Sequence, residues 1–184
     1  MTKRTLARCA SAVAGVVLSA SAHAIDWKPD SFFVQGGFAR NAATSASVGL
    51  AWDWDWERLR RHAFVNARTE LFVSHWQARS FVEGYQGFQQ IVLMPVLRMQ
   101  LDQGRSRWFL ETGVGASWMN RMYITPTNQF STQWNFYDML GVGYAWGKER
   151  QHEFGLRLVH ISNLGIREPN PGEDFVLLRY AQRF

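Results

Sequence analysis

Apolar and polar residues alternate with a period of two along most of the chain. In Ser47–Asp55, valine, leucine and two tryptophans occupy every second position, and small or acidic residues fill the others. Successive side chains of a β-strand point to opposite faces, so this pattern predicts strands with one apolar and one polar face. Eight such runs occur: Ser31–Arg40, Ser47–Asp55, Ala63–Trp76, Gln90–Leu101, Trp108–Trp118, Trp134–Trp146, His152–Ser162 and about Glu173–Phe184.

The polar faces of these runs carry full charges, and this decides between two all-β architectures. A soluble sandwich would bury the apolar faces and expose the charges, whereas a small membrane barrel turns the apolar faces to lipid and encloses the charges. Each run is close to the ~9–11 residues that a tilted strand needs to cross the hydrocarbon. Tryptophans recur at the ends of the apolar faces, as at membrane interfaces. The sequence therefore predicts an eight-stranded antiparallel transmembrane β-barrel. The charged residues are Arg68, Glu70, Arg98, Glu111, Arg157 and Arg179.

The first 24 residues have the features of a secretory signal peptide. Lys3, Arg4 and Arg8 precede an apolar stretch of alanine, valine and leucine, and Ala22-His23-Ala24 fits a cleavage site. A transmembrane anchor is the alternative, but the apolar stretch is too short to span a bilayer. We expect residues 1–24 to be removed and residues 25–184 to form one barrel in the outer membrane of a Gram-negative bacterium.

Charge and cysteine content exclude several classes of function. The chain has 20 basic and 15 acidic residues, and three basic residues leave with the signal peptide, so the mature net charge is 17 − 15 = +2. This small charge does not favour nucleic-acid binding. Cys9 is the only cysteine and lies in the signal peptide, which leaves no thiol chemistry. No clustered His/Asp motif suggests a metal, and no cofactor is expected.

The predicted connections differ in length and therefore in the side of the membrane to which they belong. Periplasmic turns of outer-membrane barrels are short and extracellular loops are longer. With both termini in the periplasm, the loop that follows Ser162 lies on the outer side. The short, charged connections are residues 56–62, 102–107 and 147–151, and the loops predicted to be extracellular are residues 41–44, 78–87, 120–133 and 163–172.

A candidate catalytic site lies at the end of the seventh predicted strand. His160 and Ser162 are two residues apart and therefore share a face, the same face as the lipid-directed Leu158. On the eighth strand, Asp174 has the same parity as the lipid-directed Val176. A nucleophile, a base and an acid would thus meet near the outer rim. Polar groups on a lipid-facing surface are costly, which favours a function, although interfacial polar residues without catalysis remain the alternative.

The last quarter of the chain resembles the lipid A 3-O-deacylase (PagL) family of outer-membrane enzymes. The resemblance is carried by His160-x-Ser162-Asn163-x-Gly165, by Pro169-Asn170-Pro171-Gly172, and by the aromatic C-terminus. It implies an eight-stranded barrel that hydrolyses the ester-linked 3-hydroxyacyl chain at the 3-position of lipid A. Lipid A, in lipopolysaccharide, would then be the substrate, bound at the outer-leaflet side without a metal or organic cofactor.

The resemblance also implies a role for each residue of the site. Ser162 would be the nucleophile and His160 the base. The family has a glutamate as the acid at the position that falls on Asp174, whereas this sequence has Glu173-Asp174. Strand parity favours Asp174, and Glu173 remains the alternative. Gly165, through its backbone N–H, and Asn170 would stabilise the oxyanion, with Asn163 supporting the loop.

Two other classes of function remain open at this point. One is a non-enzymatic envelope barrel, for which Ser162 would have no effect on lipid composition. The other is a different outer-membrane phospholipase or acyltransferase, which would give lysophospholipid or acyl-transfer products. The sequence also leaves open whether the barrel is a homodimer.

Overall fold

The computed structural model describes residues 27–184, and the predicted signal peptide lies outside the described residues. Eight antiparallel strands form one closed barrel in which each strand pairs with its neighbours in sequence and β1 pairs with β8. The strands are β1 (Ser31–Ala39), β2 (Thr44–Leu59), β3 (Ala63–Arg79), β4 (Tyr85–Leu101), β5 (Trp108–Met119), β6 (Trp134–Trp146), β7 (His152–Ser162) and β8 (Glu173–Arg183), with a 3₁₀ turn at Asp102–Gly104. The predicted eight-stranded antiparallel barrel is confirmed.

The two faces of the barrel wall follow the alternation in the sequence. Leucines and valines at alternate positions of β2 to β8 point outward and are exposed, whereas the residues between them, both polar and apolar, are buried in the lumen. This is the inverse of a soluble protein, and it matches a barrel whose outer surface contacts hydrocarbon. Within residues 27–184, no helix is long and apolar enough to cross a membrane.

Ion pairs fill the middle of the lumen. Arg157 is fully buried and donates hydrogen bonds of 2.8 Å from each terminal nitrogen to Glu70, and one of 2.9 Å from Nε to Glu111. Arg68 bridges the same two glutamates. Buried charges are tolerated when each is paired and hydrogen-bonded. The whole network consists of Arg68, Glu70, Arg98, Glu111, Glu153, Arg157 and Arg179.

Aromatic side chains close the lumen between this network and the end of the barrel that carries the loop at residues 163–172. Phe72 meets Phe33 and Tyr137 edge-on, with ring centroids 5.7 and 5.4 Å apart. Trp76 and Phe175 lie next along the lumen, with centroids 4.6 Å apart. The lumen is therefore a packed core, which holds the strand ends near the candidate site in a fixed arrangement.

Several strands are longer than the sequence predicts. The alternation indicates that the second strand ends at Asp55, and that residues 56–62 form a turn. In the structure, β2 continues to Leu59 past a register shift between Asp53 and Glu57. That boundary was wrong because backbone pairing continues beyond the apolar band, where both faces meet water and no alternation is required. β3 and β4 also extend further than predicted, to Arg79 and from Tyr85. In this extension the inward face stays buried, as Ala78 and Phe88 show, but polar residues and a glycine among them hide the alternation in the sequence.

Removal of one carboxylate from the lumen should strongly destabilise the barrel. Glu111 accepts hydrogen bonds from Arg68, Arg98 and Arg157. Glu111→Ala would remove this carboxylate and leave part of the buried positive charge of these arginines uncompensated. Breaking a buried ion pair costs about 3–5 kcal/mol, measurable as the urea midpoint of the refolded protein in lipid vesicles. The exposed Asp102–Arg105 pair is the control, and Arg105→Ala, at an ordinary φ of −77°, should leave the midpoint unchanged. Equal midpoints for Glu111→Ala and the wild type would contradict a structural role of the network.

Candidate active site

His160 lies on the outward face of β7 between two aspartates on the neighbouring strands. Strand register places Asp174 of β8 directly opposite on one side and Asp138 of β6 on the other. His160 Nδ1 and Asp174 Oδ1 are 2.6 Å apart. A carboxylate at this distance accepts a hydrogen bond from Nδ1–H, which leaves Nε2 with a free lone pair, able to act as a base.

The histidine–aspartate pair is open to its surroundings. The side chain of His160 is 47% exposed and that of Asp174 is 72% exposed. Pairs this exposed contribute little to folding stability. The pair therefore fits a role in orienting the imidazole better than a role in holding β7 to β8, which backbone pairing already does.

Ser162 is the last residue of β7 and shares the parity of His160, but only 4% of it is exposed. Its cross-strand neighbour on β6 is Phe136. Within residues 27–184, no hydrogen bond joins the Ser162 hydroxyl to the His160 ring. Nucleophile–base hydrogen bonds are often long before substrate binds. The structure thus brings serine, histidine and aspartate to one rim, with the serine in a covered position.

The loop that follows Ser162, residues 163–172, is organised by the side chain of Asn163. The amide Nδ2 of Asn163 donates to the backbone oxygen of Arg167 (2.8 Å), and its Oδ1 accepts from the N–H of Gly165 (3.0 Å). The backbone N–H of Asn163 donates to Asn170 Oδ1 (2.9 Å). Bonds to both halves of the loop fix its course directly beside the serine.

The two residues expected to bind the oxyanion lie in this loop. Gly165 has a φ of +74°, and no heavy atom lies within 4 Å of the position that a Cβ would take. Its N–H is bonded to Asn163 Oδ1, so an oxyanion would have to share or replace that acceptor. Asn170 uses its Oδ1 within the loop, and within the described residues its Nδ2 has no partner. Gly165 and Asn170 therefore stay predictions for this role.

Glu173, the alternative acid, points the other way. It begins β8, is 2% exposed, and faces the lumen. Its carboxylate accepts hydrogen bonds from Asn128 Nδ2 (2.9 Å), the Tyr123 hydroxyl (3.0 Å) and Asn41 Nδ2 (3.1 Å). Adjacent residues of a strand face opposite sides, so Glu173 and Asp174 occupy different environments, and Asp174 is the one beside His160.

Asp138 is a residue of the site that the sequence reasoning did not assign. It interrupts an otherwise apolar row on β6, and the structure places it opposite His160. It also lines a shallow groove on the outside of the barrel that contains His160 and Asp174. A carboxylate on a lipid-directed face is the signal that would have identified it. The groove is otherwise mostly apolar and includes Phe38, Val114, Leu140, Leu158 and Val176, with Arg40 at its margin.

Metal ligation has no support in the described structure. In the chain from residue 27 onward, no group of three His, Cys, Asp or Glu side chains is arranged to hold a metal ion.

The fold and the site together define a class of protein. It is a small closed barrel with an apolar outer surface that carries hydrolase-type side chains at one rim. A model of the family described as lipid A 3-O-deacylase (PagL) matches residues 44–183. The chain therefore belongs to the PagL family. The match includes His160, Ser162, Asp174 and the loop at residues 163–172.

Two individual proteins and one crystal structure are also similar to this chain. The lipid A deacylase PagL of Bordetella bronchiseptica is 35% identical over 78 residues, which are 42% of this chain and 42% of the relative. The matched segment thus spans less than half of that relative. The lipid A deacylase PagL of Pseudomonas aeruginosa is 25% identical over 137 residues, 72% of this chain and 74% of the relative. A crystal structure of the outer membrane enzyme PagL superimposes with a TM-score of 0.72 at 20% identity, covering 84% of this chain and 99% of that one. At this identity the superposition establishes the fold alone.

Proposed function

We propose that this protein is an outer-membrane esterase that removes the ester-linked 3-hydroxyacyl chain at the 3-position of lipid A. The observation that carries the proposal is the 2.6 Å contact between His160 and Asp174 beside Ser162, on the outward face of a PagL-family barrel. An enclosed pocket is not needed for a lipid substrate, since the acyl chains are already in the hydrocarbon that surrounds the strands.

The chemistry follows the serine–histidine–acid pattern. His160 Nε2 takes the hydroxyl proton as Ser162 Oγ attacks the ester carbonyl, and Asp174 stabilises the imidazolium that forms. Collapse of the tetrahedral intermediate transfers the acyl group to Ser162, and the sugar oxygen leaves with the proton from His160. Water, deprotonated by His160, then hydrolyses the acyl-enzyme and releases the 3-hydroxy fatty acid.

The loop at residues 163–172 supplies the groups that would stabilise the oxyanion. The Gly165 N–H and the Asn170 amide are the candidate donors, and Asn163 holds both in place. Donors that are fixed before the reaction stabilise developing charge without reorganising. The short link from Ser162 to Gly165 keeps the nucleophile and one donor on the same turn.

The apolar groove on the outside of the barrel would hold acyl chains next to the site. Leu140, Leu158 and Val176 continue it away from His160 along the lipid-facing wall. Arg40, exposed at its margin, offers a cation to a lipid phosphate. With both termini in the periplasm, the site lies at the level of the outer leaflet, where lipid A resides.

The test of this function is mass spectrometry of lipid A from Gram-negative cells that express the protein. Expression should convert lipid A to a form lighter by one 3-hydroxyacyl group, with the free 3-hydroxy fatty acid as the second product. Cells with an empty vector are the control. Unchanged lipid A together with newly formed lysophospholipid would replace this function by that of a phospholipase. Unchanged lipid A and phospholipid around a folded barrel would indicate a non-enzymatic protein.

Replacement of Gly172 should displace the base. A Cβ at this position would lie 2.6 Å from His160 Cε1, and the residue has a φ of +68°. We expect Gly172→Ala to push the imidazole from its place and to lower deacylation by about 10²-fold, since displacements near 1 Å have effects of this size. Gly84→Ala is the matched control because its φ is +96° but nothing lies within 4 Å of the new Cβ. If both variants keep wild-type rates, the close approach to His160 has no catalytic consequence.

A further inference from the structure

The loop between β5 and β6, residues 120–133, folds over the end of the barrel near the site. Tyr123 anchors this β5–β6 loop. Its ring meets Trp76, Phe88 and Phe130 at centroid distances of 5.3, 5.0 and 5.1 Å. Tyr123 has no exposed surface. Aromatic packing of this kind gives the loop a fixed position relative to the strands.

One part of the β5–β6 loop holds the start of the loop at residues 163–172. Ser131 Oγ donates to the backbone oxygen of Arg167 (2.7 Å) and accepts from Asn163 Nδ2 (3.0 Å). Thr132 Oγ1 accepts a second, longer bond from the same amide (3.3 Å). Asn163, which makes these contacts, is the residue directly after Ser162.

Another part of the β5–β6 loop holds the end of the loop at residues 163–172. Asn128 Nδ2 donates to the backbone oxygen of Gly172 (2.7 Å) and to Glu173 Oε2 (2.9 Å). Two acceptors on the same side fix the orientation of the amide. The Tyr123 hydroxyl donates to the same Oε2 (3.0 Å). Burial, and then the nearby carboxylate, raise the pKa of Tyr123, so the hydroxyl keeps its proton and remains a donor.

These contacts act on Asp174 through the geometry of the strand. A carboxylate as deeply buried as that of Glu173 must keep its hydrogen bonds, because an unpaired buried polar group is costly. Glu173 is therefore held inward by Asn128, Tyr123 and Asn41. Because neighbouring side chains alternate, a fixed inward Glu173 directs Asp174 outward toward His160.

We propose that Asn128 and Tyr123 are positioning residues for the His160–Asp174 pair, acting through Glu173. The proposal rests on the proposed function and gives the adjacent residues Glu173 and Asp174 different roles. Glu173 is the buried anchor of β8, and Asp174 is the acid. The β5–β6 loop, which supplies no reacting group, then sets the geometry of the reaction.

The first test compares Asn128→Ala with Asn120→Ala. Asn120 belongs to the same loop, but its side chain accepts from the N–H of Gln89 (3.0 Å) and does not touch Glu173. We expect Asn128→Ala to lower kcat roughly tenfold with KM unchanged, since only the alignment of the base is altered. Asn120→Ala should match the wild type. Tyr123→Phe, which keeps the ring contacts and loses one donor, should lower kcat by a smaller factor.

The second test asks whether the effect passes through the acid. In an Asp174→Asn background, Asn128→Ala should cause no further loss of kcat, because the pair it aligns is already gone. An independent tenfold loss in that background, or an unchanged kcat in both Asn128→Ala and Tyr123→Phe, would overturn the proposal.

A spectroscopic readout separates this proposal from the proposed function. The His160 Nδ1–H resonance of the protein in detergent micelles reports the bond to Asp174 without any substrate. It should be present in the wild type and in Asn120→Ala, and lost or shifted in Asn128→Ala and Tyr123→Phe. A wild type that shows this resonance but leaves lipid A intact would contradict the proposed function alone. Identical resonances in all four proteins would contradict the positioning role alone.

Discussion

Ser162→Ala is expected to abolish release of 3-hydroxy fatty acid from lipid A. Without a nucleophile, the remaining groups can only bind substrate and stabilise charge, so kcat should fall by at least about 10³-fold. KM should change little, because the hydroxyl contributes no acyl-chain contact. His160→Ala should give a loss of the same order, and the double variant should lose no more than either single one, since the two residues act as a unit.

The measurement is the rate of fatty-acid release by purified protein from lipid A in mixed micelles. Ser117→Ala is the matched control, because Ser117 is also a buried serine. Its hydroxyl donates to the backbone oxygen of Asn135 (3.2 Å) and lies outside the candidate site. It should retain wild-type turnover. Heat-dependent mobility on gels verifies that each variant is a closed barrel. Full turnover by folded Ser162→Ala would remove the serine from its role and leave the activity to another nucleophile.

The proximity of His160 and Asp174 at the candidate site could be predicted because it depends on strand parity. His160 and Asp174 are 14 residues apart and separated by a loop. The period-two rule nevertheless placed both on the outward face of adjacent strands. The same rule separated Asp174 from Glu173. The barrel was predictable for the same reason, since apolar outer residues alternate with other residues along the strands, and several of the inward residues between them are charged.

Contacts between loops could not be predicted in this way. Asn163 bonds to Ser131, 32 positions away, and Asn128 bonds to Glu173, 45 positions away. No local pattern records such pairs, because asparagine and serine in loops are ordinary turn formers. The burial of Ser162, and the use of the Gly165 N–H by Asn163, depend on the same loop packing and were likewise not predicted.

The packed lumen holds in place the strands that carry the exposed candidate site. If the proposed function holds, a catalytic group on the outside of the barrel would contact lipid and would have few protein neighbours to hold it. Here the strands that carry His160 and Asp174 are fixed from inside, by the Arg157 network in the middle and by Phe175 and Trp76 near the rim. For the proposed reaction, preorganisation would therefore come from the lumen, and the outer surface would be left free for acyl chains.

Asp174→Asn should lower kcat by about 10³–10⁴-fold with little change in KM. The asparagine is isosteric, but its amide can donate to Nδ1 of His160. The ring would then carry its proton on Nε2, the atom that must accept the proton of Ser162, and a reversed tautomer of this kind has costs of this order. Asp174→Glu keeps an acceptor for Nδ1–H, so it should stay within about tenfold of the wild type.

The decisive comparison is with Asp138→Asn, measured in the same lipid A assay. Asp138 lies opposite His160 on β6, as Asp174 does on β8, but only Asp174 is hydrogen-bonded to the ring. If Asp174 orients the imidazole, Asp138→Asn should cost far less than Asp174→Asn. Comparable losses in the two variants would mean that both carboxylates share the orienting role. If Asp174→Asn is nearly normal and Asp138→Asn is severely impaired, the acid is Asp138 on β6. His160 would then have to turn away from Asp174 on β8 and toward Asp138.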